Sequence, residues 1–217
     1  MTFRAVMFDL DGTLLDTLAD IATAANQALD REGMPTHPSA DFRRFIGDGV
    51  AMLFRRALPP DRTDDALVGR CVAAFHDAYS RVWHDQTRPY EGITELLDAL
   101  VGRDLVLSVL SNKPDDFTQL YGNHYLARWP FRVVLGQRDH VPRKPDPAGA
   151  LEIADRLEID PAAFVYVGDS GVDMKTAKAA GMFAVGVSWG FRPVEELRAT
   201  GADAIIDHPS ELLGLLE

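Results

Sequence analysis

Six short apolar runs recur along the chain, and their pattern restricts the fold more than any other feature. They are AVMF at 5–8, LVLSVL at 105–110, FRVVLG at 131–136, FVYVG at 164–168, FAVGVS at 183–188 and AIID at 204–207. None alternates cleanly between apolar and polar residues, as a strand with one wet face would. Rich in Val, Ile and Phe, they suit parallel strands covered on both faces. Helix-like segments separate them: GITELLDALVG before the second run, PDDFTQLYGNHYL after it, then PAGALEIADRLEI and GVDMKTAKAAG. Gly181 closes the last of these as a C′ residue. Strand alternating with helix predicts an α/β fold with a doubly wound, Rossmann-like parallel sheet.

One interval breaks that rhythm. From Thr17 to Arg88, TLADIATAANQALDREG and DDALVGRCVAAFHDAYSRVW repeat apolar residues at spacings of three and four, and no strand pattern lies between them. In the second segment Leu67, Cys71 or Val72, Phe75, Tyr79 and Val82 form the stripe. An excursion of this length is far beyond a normal connection between a strand and the next unit of a sheet. The expected organisation is an α/β core formed by residues 1–16 and 89–217, with an all-helical insert over 17–88. Asp16–Leu18 and Thr87–Gly92 are its expected hinges.

Composition limits the function classes. Of 217 residues, 33 are acidic and 22 are Lys or Arg, a formal charge of −11. That balance argues against nucleic acid or an anionic membrane as partner, although a local positive pocket or a bound cation still admits a phosphorylated small molecule. Cys71, the single cysteine, lies within an apolar helical pattern and reads as a small core residue. The opening MTFRAVMFDL has no signal-peptide pattern, and no apolar stretch approaches the ~18 residues of a membrane span. A cytoplasmic protein is expected, as a monomer or homodimer.

In an open α/β sheet, ligands bind beyond the carboxyl ends of the strands. Asp9 ends the first strand within FDLDGT, Ser111 ends the second, and Asp169 ends the FVYVG strand within GDSGVD. The cluster PRKPDP at 142–147, with Lys144, opens the helix before that strand. Each residue type fits phosphoryl transfer. Asp9 can act as nucleophile and form an aspartyl-phosphate. Asp11 can protonate the leaving oxygen and then deprotonate water. A Mg²⁺ ion between Asp9 and Asp169 makes the repelling acids tolerable and screens the nucleophile from the phosphoryl group. Ser111, with backbone N–H groups at a helix N-terminus, can grip a phosphate oxygen. Lys144 can neutralise the transferred charge, and Asp173 can orient Lys144 or a metal-bound water. Taken singly, these stretches have ordinary readings as turns and helix caps. Asn112 and Lys113 stay ambiguous, as substrate contacts or as supports of their turn. It is the joint appearance of the four stretches at successive strand ends that favours an active site.

These four stretches resemble the motifs of the haloacid dehalogenase superfamily of phosphotransferases: DLDGT the first, Ser111 the second, Lys144 with KPDP the third and GDSGVD the fourth. The resemblance covers essentially the whole chain, including a helical cap after the first motif. It implies Asp9 as nucleophile, Asp11 as acid/base, and Mg²⁺ held by Asp9, Asp169 and the backbone carbonyl of Asp11. Within the superfamily the chain most resembles phosphoglycolate phosphatases, through RRFIGDGVAMLFRRAL at 43–58, SNKP and VSWGF at 187–191. Asp11 speaks against dehalogenase chemistry, and the absence of lysine from Leu14 to Tyr90 against phosphonate cleavage by a cap Schiff base. LLDTLADIATAAN also lacks the lysine and histidine of β-phosphoglucomutases.

The expected activity is Mg²⁺-dependent hydrolysis of a small phosphomonoester of carbohydrate metabolism, 2-phosphoglycolate foremost. Pyrophosphate and sugar or nucleotide monophosphates are the alternatives with the same mechanism. An inactive phosphate-sensing or protein-binding homologue is the alternative of a different class. Besides Ser111, Asn112 and Lys144, the candidate substrate contacts are Arg43, Arg44, Gly47 and Gly49 of the helical insert, positive or N–H-rich partners for a substrate carboxylate. His76 and His84 read as surface residues.

Overall fold

A computed structural model describes residues 2–216. The elements in chain order begin with β1 (Ala5–Phe8), β2 (Leu15–Asp16), α1 (Leu18–Arg31), α2 (Phe42–Phe45), α3 (Val50–Ala57), α4 (Asp65–Val82) and β3 (Arg88–Pro89). Then follow α5 (Ile93–Gly102), β4 (Val106–Pro114), α6 (Asp115–Tyr121), β5 (Phe131–Gln137), α7 (Ala148–Leu157) and β6 (Phe164–Gly168). The last are α8 (Gly171–Ala180), β7 (Phe183–Val187), α9 (Val194–Ala199), β8 (Ala204–Ile206) and α10 (Leu212–Leu215). The chain divides into two compact units, one of residues up to Leu15 with those from Pro89 onward, the other Asp16–Arg88. No helix among the described residues is long and apolar enough to cross a membrane.

The first unit holds a six-stranded sheet in the order β5-β4-β1-β6-β7-β8. Every pairing in it is parallel. Both faces are covered, which is why the strand sequences are apolar throughout. Ala5 and Met7 of β1 share a core cluster with Phe164 and Tyr166 of β6 and with Ile153, Met174, Ala177 and Leu197 of α7, α8 and α9. Period-two alternation sends Val6 and Phe8 to the opposite face, and they too are fully buried. Each such side chain contributes about 1.5–3 kcal/mol by leaving water. Gly181 stands at φ 74° after α8, the left-handed stop that the glycine permits. Reading the chain in order, β4 and β5 build outward on one side of β1, and β6, β7 and β8 on the other. The switch point therefore falls at β1, so the crevice at its carboxyl end is where this topology places a ligand.

One expectation needs correction. The second strand does not end at Ser111; β4 runs on to Pro114, and Pro114 pairs with Gln137 after a register shift. The helix starts at Asp115, so Ser111 lies within a strand end and not at a helix N-terminus.

In the second unit α1 packs on α4. The α1 face carries Ile21, Ala24, Ala25, Ala28 and Leu29, small enough to admit Leu67, Cys71, Phe75 and Tyr79 of α4. Phe54 of α3 meets Phe75 edge-on with ring centroids 6.0 Å apart, and Phe75 stacks on Tyr79 at 5.0 Å. Asp64 caps α4 by accepting from Leu67 N at 2.9 Å. Asp20, 1% exposed, accepts from Gln86 N at 3.0 Å, Thr87 N at 2.9 Å and the Thr87 hydroxyl at 2.8 Å. That carboxylate ties the start of α1 to the residues after α4. The crossing segments β2 and β3 pair with each other as a two-stranded sheet.

Candidate active site

Asp9 directly follows β1, with its N–H donating to Val167 O at 2.9 Å. The next residues turn sharply: Leu14 N reaches Leu10 O at 3.1 Å and Gly12 N reaches Leu15 O at 2.9 Å. Gly12 adopts φ +85°, and a Cβ there would overlap the Asp169 carboxylate, so both conformation and space require glycine. At Gly190 space alone requires glycine, because a Cβ there would strike Asp169 as well. Asp169 sits in this cradle at the end of β6, with Oδ2 accepting from Phe191 N at 2.7 Å.

Lys144 comes from the loop before α7 and is positioned through Asn112. The Asn112 amide donates to Lys144 O at 3.1 Å and accepts from Lys144 N at 3.0 Å. Asn112, expected as a substrate contact, is thus engaged on both sides as a clamp on the Lys144 backbone. The Lys144 ammonium donates to Asp173 Oδ1 at 2.6 Å and Leu110 O at 3.0 Å, and lies 2.9 Å from Asp9 Oδ1. Burial opposes the charged ammonium, but Asp173 and Asp9 outweigh it and hold Lys144 protonated well above the usual lysine range. Tyr166 closes the group, its hydroxyl 3.4 Å from Asp173 Oδ1. Ser111 is buried, with Oγ accepting from Lys113 N at 3.3 Å.

Asp9, Asp169 and Asp173 each present a carboxylate oxygen, all within 4.8 Å of one another and all buried. Their partners separate their roles. Asp173 is saturated: Oδ1 takes Lys144, and Oδ2 takes Ser170 N at 3.1 Å and Ser170 Oγ at 2.5 Å, closing a capping box on α8. Asp9 is not saturated. Its Oδ1 is fully buried at ion-pair distance from Lys144 but outside hydrogen-bond alignment. Burial, partly countered by Lys144, pushes the Asp9 carboxyl up to about 7. Burial together with Asp173 and Asp9 drives Asp169 well above the carboxylate range. An orphaned oxygen and two buried acids that resist ionising side by side fit a divalent cation with hard oxygen ligands. Asp9 and Asp169 are the groups left to hold it.

The Asp11 side chain is engaged by a second lysine. Its carboxylate forms an ion pair with Lys113, at 3.1 and 3.2 Å. Lys113 also lies over the Tyr121 ring, 4.6 Å from its centroid. Sequence reasoning left Lys113 ambiguous and passed over Tyr166 and the Phe191 N–H. The polar Lys within SNKP was the one available signal, while a backbone donor leaves none.

Of the candidate substrate residues, Arg43, Arg44, Gly47 and Gly49 belong to the helical unit. Arg44, with its side chain 74% exposed, pairs with Asp41 at 2.8 Å, and Arg43 is exposed. Gly47 and Gly49 have φ of 119° and 86°, which explains glycine at both positions. Asp48 between them pairs with Arg56. His76 and His84 are exposed.

Comparison with known proteins agrees with this geometry. Residues 6–187 match the family described as haloacid dehalogenase-like hydrolase. The phosphoglycolate phosphatase of Nitrosospira multiformis is 35% identical over 221 residues, covering 100% of this chain and 97% of that protein. That of Pseudomonas putida is 34% identical over 215 residues, covering 97% of this chain and 78% of that protein. A crystal structure from Lactobacillus delbrueckii subsp. bulgaricus, provisionally named a phosphoglycolate phosphatase, superposes with a TM-score of 0.93 at 30% identity, covering 100% of this chain and 99% of that one. The chain belongs to the haloacid dehalogenase-like hydrolase family, as an enzyme similar to its phosphoglycolate phosphatases.

Proposed function

We propose that this phosphoric monoester hydrolase acts on 2-phosphoglycolate through an aspartyl-phosphate, with the sheet-bearing unit as catalytic core and the helical unit as its cap. The observation that carries the mechanism is Asp9 itself, a buried carboxylate whose Oδ1 accepts no hydrogen bond, beside a lysine and a second buried acid. In the first step an Asp9 oxygen bonds to phosphorus as the ester P–O bond breaks, and Asp11 gives its proton to the departing alkoxide. In the second step Asp11 takes a proton from water, the water oxygen attacks phosphorus, and Asp9 and inorganic phosphate are released. Lys144 offsets negative charge on the transferred group, and Ser111 supplies a hydroxyl to a phosphate oxygen. Mg²⁺, held by Asp9, Asp169 and the Asp11 carbonyl, would polarise the phosphoryl oxygens and screen the anionic nucleophile.

Support for the substrate comes from the relatives named above. The test is a panel of phosphate esters, pyrophosphate and nucleotide monophosphates ranked by kcat/KM with Mg²⁺ in excess. 2-Phosphoglycolate is expected to rank first, and a low rank refutes the substrate assignment. Asp9→Asn is expected to reduce turnover to background with the fold intact; retained turnover refutes the nucleophile, and full activity after chelation refutes the metal.

A further inference from the structure

Phosphoryl transfer as written above uses Lys144 but not Lys113, a second buried ammonium of the same unit. Lys113 Nζ pairs with Asp11 at 3.1 Å, with side chains 4% and 12% exposed. The Tyr121 ring beneath it, 4.6 Å from Nζ to centroid, supplies an aromatic face to the cation. Its main-chain N–H is held by Ser111 Oγ at 3.3 Å. Lys113 is therefore fixed at both ends, its backbone on the phosphate-facing hydroxyl and its charge on the acid/base.

We propose that Lys113 is a specificity-determining residue that receives the carboxylate of the substrate, so that the preferred class is a phosphate ester with a carboxylate on the carbon bearing the ester oxygen. The proposal rests on the phosphatase reading and on Asp11 as its acid. To protonate the leaving oxygen, Asp11 must come within about 2.6–3.2 Å of it. In 2-phosphoglycolate the carboxylate carbon is two bonds from that same oxygen. A productive pose thus brings the substrate carboxylate beside Asp11, and hence beside the ammonium paired with Asp11. Without a cation there, the substrate carboxylate would lie in a poorly hydrated place beside an acid that becomes anionic as it gives up its proton, where like charges repel strongly. Lys144 is already engaged by Asp173, Asp9 and Leu110 O, and its ion-pair partners are the nucleophile and the residue capping α8. Lys113 is the ammonium on the leaving-group acid.

The experiment compares kcat/KM for 2-phosphoglycolate with that for ethyl phosphate, which has the same two-carbon ester but no carboxylate. It uses the wild type, K113M and K113R. K113M is expected to lower the 2-phosphoglycolate value on the order of 100-fold, the scale of one lost charge-assisted contact. Any fall on ethyl phosphate, where only the pairing with Asp11 is lost, should be at least about tenfold smaller, and K113R should recover most of the 2-phosphoglycolate loss. A parallel fall on both substrates overturns the proposal and leaves Lys113 as a holder of Asp11. So does an unchanged ratio, or a wild type with no preference between the two. K113Q, which keeps a donor for Asp11, is read by the same ratio should K113M fail to fold. A wild type inactive on every phosphate ester refutes the phosphatase reading instead, so the two failures are distinguishable.

Discussion

The buried acids make the cation-free protein sensitive to pH in a direction opposite to ordinary acid denaturation. Asp9 has a folded value of about 7 against an ordinary 3.8. The folded state therefore keeps a proton that the unfolded chain has already released. The associated stability is complete below the ordinary value and is lost as pH rises through about 7. Asp169 is raised in the same sense and adds to the trend, whereas Lys144, raised above its ordinary 10.5, contributes no slope near neutrality. Between pH 6 and pH 8, Asp9 alone costs about 1 kcal/mol, a fall in Tm of about 2–4 °C for a chain of this size. The assay is thermal unfolding in EDTA at pH 6, 7 and 8, for the wild type and Asp9→Asn. The wild type should lose stability with pH, and the asparagine variant should lose less and be the more stable at pH 8. Millimolar Mg²⁺ should stabilise the wild type more at pH 8 than at pH 6, since protons compete for the same oxygens. Identical pH slopes in the two proteins, or a Mg²⁺ effect independent of pH, refute the reasoning.

Two further outcomes follow from positions described above. Gly190→Ala puts a methyl group into the Asp169 carboxylate and should weaken divalent-ion binding about 10–100-fold; calorimetric titration with Mg²⁺ checks this, and wild-type affinity in a folded variant refutes it. Asp20→Ala removes the acceptor of Gln86 N and Thr87 N and one partner of the Thr87 hydroxyl, and should cost about 2–3 kcal/mol in urea unfolding, with a loss under about 0.5 kcal/mol contradicting the assigned role.

Much of the sheet was legible because burial on both faces leaves a compositional trace. AVMF and FVYVG coincide with β1 and β6, for no other surroundings suit such runs. The 105–110 run was read four residues short, because SNKP has neither apolar character nor strand propensity; the strand continues through it to Pro114, which pairs with Gln137 of β5 after a register shift. β2 and β3, at two residues each, are too short to show any period. At the site, Asp9, Lys144, Asp169 and Asp173 lie together as the strand-end logic anticipates. The Lys113–Asp11 pair spans 102 residues of sequence and involves a residue type usually found in solvent. Phe191 acts through its backbone N–H, to which side-chain identity is blind.

The sheet order also has a consequence for how the protein comes into being. β1 precedes both of its sheet neighbours in the chain: Ala5 pairs with Val106 on one side and Phe164 on the other. During synthesis this apolar strand must wait for β4 and then for β6, and unpaired strand edges of that kind invite aggregation. Asp9 and Asp169 cannot meet before β6 has docked, so a nascent chain ending ahead of it lacks the paired carboxylates.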